Sequence, residues 1–221
     1  MFQIDTVIKE LEILFKKNKA PVIDLIAAQT KNPFKILIST ILSARTKDQT
    51  TAAVSEKLYK VIHNFSDLEK ISVNELEKLI YPVGFYRQKA KNLKQIPSMI
   101  KNKFQGKIPE EIEELITLPG VGRKTANLVR AIAFQKPAIC VDVHVHRITN
   151  RWGYVKTSTP FETEFALRKI LPIQYWLIFN SIIVSFGQTL CRPRNPLCGQ
   201  CPISKFCLFF HDFKKRSELY E

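Results

Sequence analysis

The sequence predicts an all-helical protein with an excess of positive charge. Only 7 of its 221 residues are glycine, 45% are apolar, and apolar residues recur every three or four positions along most of the chain. This interval places apolar side chains on one face of an α-helix. The formal net charge is +14. Such an excess favours polyanionic partners, which are DNA, RNA or an anionic membrane surface.

Helices in the first third of the chain are predicted from apolar spacing and capping residues. Helical spacing begins at Ile4 and ends before Pro21, since proline stops a helix. Asn32-Pro33 supplies an N-cap and a first helical residue for a helix through Ser43. A further helix covers Asp48 to Tyr59, and the capping box Ser72-Val73-Asn74-Glu75 opens another to about Tyr81.

The stretch from Val83 to Ile108 is strongly basic and contains no acidic residue. Most charge runs are only a solvated face of a protein. This run directly precedes a predicted phosphate-binding turn, which favours contact with DNA phosphates. The basic residues are Arg87, Lys89, Lys91, Lys94, Lys101, Lys103 and Lys107.

A tight turn between two helices follows in Leu118–Asn127. Glu110 to Ile116 has a helical pattern, Pro119 ends it, and a second helix is predicted from about Arg123 to Phe134. Glycines in the turn permit positive φ and a close approach of another backbone. The N–H groups at the start of the second helix can bind phosphate, and Arg123 adds charge.

Lys124 and Asp142 are candidate catalytic residues. Lys124 lies in the first turn of the second helix, where the helix dipole disfavours a protonated amine, and an uncharged amine is a nucleophile. Taken alone, Lys124 also fits a phosphate-binding lysine. Asp142, 18 residues later, precedes helical spacing that includes Trp152, so it fits either an N-cap or a catalytic carboxylate.

Two helices are predicted before the C-terminal loop. The box Thr159-Pro160-Phe161-Glu162 opens a helix to about Leu171, which Pro172 closes. Tyr175–Phe186 is predicted to be a buried core helix, because polar residues interrupt it and no apolar run reaches the length of a membrane span.

Four cysteines near the C-terminus form a candidate metal centre with the spacing C-x6-C-x2-C-x5-C. Four thiolates can bind zinc or a [4Fe–4S] cluster, and disulfides are a third alternative. Structural zinc sites usually show two short Cys-x2-Cys pairs, and only one is present. The loop therefore favours the cluster, with Cys191, Cys198, Cys201 and Cys207 as its ligands. The fifth cysteine, Cys140, is predicted to be a buried, inert thiol.

Leu118–Asn127 resembles the helix-hairpin-helix of the endonuclease III family of DNA glycosylase/lyases. The segment Val141–His144 resembles its catalytic aspartate segment, and the cysteine loop resembles its iron–sulfur loop. The resemblance implies an all-α fold of two helical domains: a six-helix bundle (22–133) that contains the hairpin, and a [4Fe–4S] cluster domain built from both chain ends (1–21 and 134–221). A DNA-binding cleft would lie between them.

The resemblance also implies the activity and the residues that perform it. Lys124 would displace an oxidised pyrimidine, such as thymine glycol, and cleave the abasic site by β-elimination, with Asp142 as its carboxylate. The implied partner is double-stranded DNA with damaged bases or abasic sites, and the protein is expected to be a monomer. The implied DNA contacts are Leu118, Gly120, Val121, Gly122, Arg123 and His144, the last with a structural or phosphate-contacting role.

Two positions depart from the family pattern. Arg45 stands where bacterial members typically carry a glutamine that fills the gap left by the flipped nucleotide. Phe85 stands at the wedge position, often leucine, and phenylalanine can enter between base steps. Read without the resemblance, they fit a surface arginine and a core aromatic. Opposite-base preference cannot be predicted from Arg45.

Two other functions remain open from the sequence. One is a mismatch-type glycosylase of the same superfamily without strand cleavage, against which Lys124 argues. The other is a non-catalytic iron–sulfur DNA-binding protein. The N-terminus lacks the pattern of a secretory signal, because Glu10 and Glu12 interrupt it. We expect a cytoplasmic, nucleoid-associated protein.

Overall fold

A computed structural model describes residues 2–17 and 20–217, with side chains to residue 212. Within these ranges the regular structure is entirely helical, which confirms the predicted all-α class. The chain divides into two compact units. We call Pro21–Ala138 the bundle unit, and Met1–Ala20 with Ile139–Glu221 the terminal unit. The predicted domain extents include residues 1, 18–19 and 218–221, which lie outside the described residues.

The bundle unit contains eight helices among its described residues. They are α2 (Val22–Thr30), α3 (Pro33–Ser43), α4 (Asp48–Leu58), α5 (Phe65–Lys70), α6 (Val73–Ile80), α7 (Tyr86–Phe104), α8 (Ile112–Leu115) and α9 (Arg123–Phe134).

The centre of the bundle unit is α3, which packs against α2 and α9. Nearly all of its residues from Phe34 to Leu42 are buried, because its sequence is apolar on every side. The predicted cap is present: the Asn32 side chain accepts hydrogen bonds from the N–H groups of Phe34 and Lys35. The C-terminal end of α3 leads directly to the loop that carries Arg45.

The terminal unit contains five helices among its described residues, together with short 3-10 turns. The helices are α1 (Ile4–Lys17), α10 (Val143–Trp152), α11 (Pro160–Ile170), α12 (Trp176–Thr189) and α13 (Leu208–Ser217). Helix α12 is buried from Phe179 to Gly187 and packs against α1 and α10. The N-terminal helix and the C-terminal half of the chain therefore share one core.

Most predicted helices are confirmed within a residue or two, and the capping box before α6 is present. Before α11, the Thr159 side chain accepts from the Glu162 N–H, but the Glu162 carboxylate accepts from the N–H of Ser158 and not from that of Thr159.

The prediction for Glu110 to Ile116 was too long, because the helix covers only Ile112–Leu115. Its N-cap residue, Glu111, makes no capping side-chain bond, and Thr117 donates its hydroxyl to the Glu114 carbonyl just beyond the last turn. This helix of four residues is only a short connection to the turn that follows it.

Within the described ranges, none of the helices combines the length and the apolar character that a membrane span requires.

Candidate functional site

The two glycines in the turn before α9 have different backbone conformations. Gly120 has a φ of +80°, and a Cβ atom there would lie 2.9 Å from Asn92 Nδ2. Gly122 is the N-cap of α9 with φ −90° and ψ 176°, a conformation open to any residue. A Cβ atom on Gly122 would meet nothing within 4 Å. Only Gly120 therefore uses the positive φ that both glycines permit, while Gly122 leaves open space before the helix N-terminus.

The other hairpin residues divide into core and surface. The side chains of Leu118 and Val121 are buried, and the Val121 N–H donates to the Leu118 carbonyl at 3.1 Å. These two side chains therefore hold the turn on the bundle unit, and a DNA contact through the backbone of either residue stays a prediction. Arg123 is half-buried and Lys124 is exposed, both in the first turn of α9.

Asp142 is the N-cap of α10, which is one of the two roles predicted for it from the sequence. Its Oδ1 atom accepts hydrogen bonds from the N–H groups of His144 and Val145, each at 2.9 Å. Both bonds end on the same oxygen, so capping does not engage Oδ2. The carboxylate is half-buried and fixed by the backbone of the helix that follows it.

His144 belongs to α10 and packs against Gly187 of α12, a residue that was not singled out from the sequence. Its Nδ1 atom is 3.2 Å from Arg147 Nη2, and Arg147 also donates to the Cys191 carbonyl at 2.9 Å. A Cβ atom at Gly187 would lie 2.4 Å from His144 Nδ1. Gly187 is therefore needed for the close packing of α12, and a lone glycine inside an apolar helix was the available signal. These contacts favour a structural role for His144.

Lys124 belongs to the bundle unit and Asp142 to the terminal unit. Each stands at the start of a helix, Lys124 in the first turn of α9 and Asp142 as the N-cap of α10. Their convergence on one substrate remains a prediction.

Arg45 and Phe85 are brought together within the bundle unit. The Arg45 guanidinium carbon lies over the Phe85 ring, 5.4 Å from its centroid. Arg45 has a φ of +54° and Phe85 a φ of +57°, left-handed conformations that are uncommon for such residues. Phe85 is 63% exposed, so its interpretation as a core aromatic is wrong. The pair forms a projecting tip, which we call the Arg45–Phe85 tip.

Two lysines of the basic stretch are not available to phosphates. Lys89 is only 7% exposed, and its ammonium donates to the carbonyls of Leu42 (2.7 Å) and Ala44 (2.6 Å) and to the Thr46 hydroxyl (3.2 Å). Burial lowers the pKa of Lys89 to about 8. Lys94 donates to three carbonyls at the end of α5, those of Leu68, Glu69 and Ile71. Both lysines satisfy carbonyls that a helix end leaves without partners.

The four clustered cysteines line one pocket in the terminal unit. Its other lining residues are mainly apolar and include Trp152, Phe186 and Phe209. Among described residues, no three or more His, Cys, Asp or Glu side chains are arranged to hold a single metal ion. Four thiols around a shared pocket are the donor set of a [4Fe–4S] cluster, so the residues present fit that group.

Arg151 ties the cysteine loop to α10. It donates to Cys191 Sγ at 3.4 Å and to the carbonyls of Arg192 (2.7 Å) and Pro193 (2.9 Å). Burial raises the pKa of the Cys201 thiol to about 11, so cluster assembly there must release a proton. Cys140 lies outside the pocket and is buried, as predicted.

Comparison with known proteins gives a consistent result. Residues 38–173 match the model of the HhH-GPD superfamily base excision DNA repair protein, and residues 191–207 match the iron-sulfur binding domain of endonuclease III. The chain is 48% identical over 179 residues to endonuclease III of Thermotoga maritima, covering 81% of this chain and 84% of that protein.

Two solved structures share the fold over almost the whole chain. A non-covalent complex of endonuclease III with DNA superposes with a TM-score of 0.86 at 33% identity, covering 96% of this chain and 97% of the other. A trapped covalent intermediate of endonuclease III with DNA gives a TM-score of 0.84 at 33% identity, with the same coverage.

Proposed function

The chain belongs to the endonuclease III family, and we propose that it releases oxidised pyrimidines of the thymine-glycol type from double-stranded DNA and then cleaves the abasic site. It is a base-excision DNA glycosylase with lyase activity. The observation that carries the proposal is Lys124: an exposed amine in the first turn of α9, next to the open space at Gly122.

The hairpin supports DNA binding through its backbone. The N-cap Gly122 makes no side-chain capping bond, and the first N–H groups of an α-helix have no partner within the helix. A phosphate at this point is stabilised by those N–H groups and by the positive end of the helix dipole. Gly122 admits the strand because no side chain occupies the space. Arg123 adds one positive charge beside it.

Lys124 is the proposed nucleophile. Its lone pair forms a bond to C1′ of the damaged nucleotide while the C1′–N bond breaks and the base leaves with a proton. The sugar ring opens and leaves a Schiff base between Lys124 and C1′. Loss of a C2′ proton then expels the 3′ phosphate by breaking the C3′–O bond, and water releases the lysine.

Asp142 is the proposed partner of Lys124. A carboxylate stabilises positive charge that develops on the sugar as the base departs, and it can accept a proton in the later steps. The two N–H bonds to Oδ1 fix its orientation before substrate arrives. Because the carboxylate is already oriented, it needs no reorganisation as the reaction proceeds. The proposal requires that Lys124 and Asp142, from the two units, reach the same nucleotide.

Extrusion of the nucleotide requires something to fill the space it leaves. The damaged base cannot be reached inside the duplex and must be flipped out. The Arg45–Phe85 tip presents an aromatic ring and a planar guanidinium side by side. We assign Phe85 to wedging between base steps and Arg45 to hydrogen bonding with the orphaned base.

The [4Fe–4S] cluster has a structural role in this proposal. Cys191, Cys198, Cys201 and Cys207 hold it, and the binding free energy of such a group becomes folding free energy for the loop that surrounds it. The cluster thereby fixes the C-terminal loop against α10, whose N-cap is Asp142. We further propose that the enzyme acts as a monomer in the cytoplasm, at the nucleoid, where its DNA substrate lies.

The proposal is tested by trapping the Schiff base. Borohydride added to enzyme and a thymine-glycol duplex should give a covalent protein–DNA adduct. Lys124→Gln should reduce adduct formation by roughly a thousandfold or more, the scale of losing a catalytic nucleophile. Lys60→Gln is the matched control, since Lys60 is an exposed lysine that pairs with Glu56 at 3.4 Å. Undiminished trapping by Lys124→Gln would reassign the nucleophile.

A panel of duplexes separates this function from its alternatives. Thymine-glycol duplexes should be excised and cut, whereas a mismatch-type glycosylase would release a mispaired base and leave the strand intact. A non-catalytic binding protein would bind abasic DNA tightly and release no base from any duplex.

A further inference from the structure

We propose that Lys89 is a positioning residue that holds the Arg45–Phe85 tip in the conformation needed to extrude a nucleotide. The inference rests on the proposed function, because it assigns the tip its task. It concerns a buried lysine in the interior of the bundle unit, outside the hairpin and outside the catalytic pair.

The tip is formed by two loops that are distant in sequence. One follows α3 and carries Arg45, and the other precedes α7 and carries Phe85. Both tip residues adopt left-handed backbone conformations. A non-glycine residue keeps such a conformation only where surrounding contacts hold it there. The structure must therefore contain groups that hold both loops.

Lys89 supplies three such contacts for the Arg45 loop. Its three hydrogen bonds end on Leu42, Ala44 and Thr46, on both sides of Arg45. The ammonium has three N–H donors, and three acceptors surround it. The hydrogen-bond partners lie 43 to 47 residues away in sequence, so these bonds join α7 to the end of α3.

The Thr46 hydroxyl extends the connection to the Phe85 loop. It accepts from Lys89 and also from the N–H of Gly84, at 3.1 Å. A Cβ atom on Gly84 would lie 2.4 Å from the Arg45 carbonyl oxygen, so the two loops touch at this glycine. One ammonium and one hydroxyl thus hold together the loops that carry the two halves of the tip.

Burial excludes the usual role of a lysine in a basic stretch. With 7% exposure and three acceptors inside the protein, the ammonium cannot contact a DNA phosphate without breaking these bonds. Its removal should therefore affect how the tip acts on the bound duplex. It should leave the electrostatic part of DNA affinity in place.

The test compares Lys89→Met with two other changes. Methionine keeps an unbranched side chain but removes the donors. Thr46→Val removes only the hydroxyl that bonds both Lys89 and Gly84. This variant provides the test if Lys89→Met folds poorly. Lys60→Met is the matched control, since Lys60 is an exposed lysine of the same unit and lies outside the basic stretch. Thermal melting establishes that each variant is folded before activity is compared.

Three readouts define the expected result. Single-turnover base release should slow by about tenfold for Lys89→Met, the scale of losing a hydrogen-bonded charged group. The Kd for the lesion duplex and its dependence on salt should stay within about twofold of the parent, because no phosphate contact is lost. A 2-aminopurine placed opposite the lesion should show a smaller fluorescence change on binding. Lys60→Met should leave base release and fluorescence unchanged.

A double variant tests whether Lys89 acts through the tip. If it does, Arg45→Ala combined with Lys89→Met should be no slower than the slower single variant, since both disable the same device. If the double variant is slowed by the product of the two single-variant effects, the inference is overturned. A folded Lys89→Met or Thr46→Val that releases base at the parent rate would also overturn it, as would a shallower salt dependence for Lys89→Met.

Failure of this inference can be distinguished from failure of the proposed function. If the parent enzyme forms no borohydride adduct with a thymine-glycol duplex, the proposed function fails. If it forms the adduct and Lys89→Met behaves like Lys60→Met, only the role of Lys89 fails.

Discussion

At the scale of single residues, Asp142 illustrates how one carboxylate can serve both folding and chemistry. Its Oδ1 atom caps α10 through two backbone N–H groups, which is an ordinary structural task. Oδ2 is not used by the cap and is the oxygen we assign to the sugar. The two interpretations that the sequence left open are therefore compatible in one side chain.

Substitution separates these two tasks of Asp142. Asparagine is as good an N-cap as aspartate but carries no negative charge, so Asp142→Asn should keep the melting temperature and slow base release by about a hundredfold. Asp142→Ala should lose activity to a similar extent and also about 1 kcal/mol of stability, the usual cost of a lost N-cap. Thermal melting and single-turnover base release measure the two effects.

Thr159 provides the control for cap loss in the same unit. Its side chain accepts a hydrogen bond from the Glu162 N–H at the start of α11. Thr159→Ala should lower stability by about 1 kcal/mol without slowing base release. An active Asp142→Asn would show that the residue is a cap and nothing more.

The lysines of α7 show which residue roles a sequence can and cannot reveal. The basic stretch was correctly identified as a feature, yet Lys89 and Lys94 turn inward to carbonyls that lie 23 to 47 residues away in sequence. No local pattern specifies such partners, because the acceptors are backbone groups that every residue carries. The cysteine spacing and the hairpin were predictable because their chemistry is local in sequence.

At the scale of helices, prediction succeeded where side chains mark the ends. Asn32, Ser72 and Thr159 each cap the helix they were predicted to open. The short helices α2 (Val22–Thr30) and α5 (Phe65–Lys70) were not predicted, and α8 was predicted too long. Helices α7, which contains Pro97 in its interior, and α13 were also not predicted. Short helices present few turns of periodicity, and most of their stability comes from tertiary packing. Their limits are therefore set by neighbours that a single sequence does not identify.

The cysteine loop is an element whose stability should depend on its cluster. Between Leu190 and Leu208 the chain has only short 3-10 turns. Cys201→Ser should therefore abolish the visible absorbance of the cluster, and proteases should cut between residues 191 and 207. Spectroscopy and limited proteolysis with mass spectrometry measure the two outcomes.

The chain offers a control variant and a second spectroscopic readout for this experiment. Cys140→Ala removes a buried thiol outside the pocket and should retain full cluster absorbance. The chain has two tryptophans, Trp152 and Trp176, both in the terminal unit, and Trp152 lines the pocket. Tryptophan emission should change in Cys201→Ser and stay constant in Cys140→Ala. Unaltered absorbance in Cys201→Ser would exclude this residue as a ligand.

At the scale of the whole molecule, the charge of +14 must be divided between binding and structure. Some cations are used internally: Lys89 and Lys94 bond backbone carbonyls, and Arg130 pairs with Glu111 at 2.6 Å. Net charge therefore overstates the number of phosphate contacts. The salt dependence of DNA binding measures that number directly, because each phosphate contact releases condensed counterions.

Arg123 and Lys94 allow this division of charge to be tested with net charge held equal. Arg123→Ala and Lys94→Met each lower the formal net charge from +14 to +13. If Arg123 contacts a phosphate, its loss should reduce the slope of log Kd against log salt by about 0.9. Lys94→Met should leave the slope unchanged and lower stability, since three carbonyls at the end of α5 lose their donor. Titrations of a lesion duplex by fluorescence anisotropy at several salt concentrations give both slopes. Equal slope changes in the two variants would mean that the enzyme senses DNA through its total charge, and that the hairpin contributes no contact of its own.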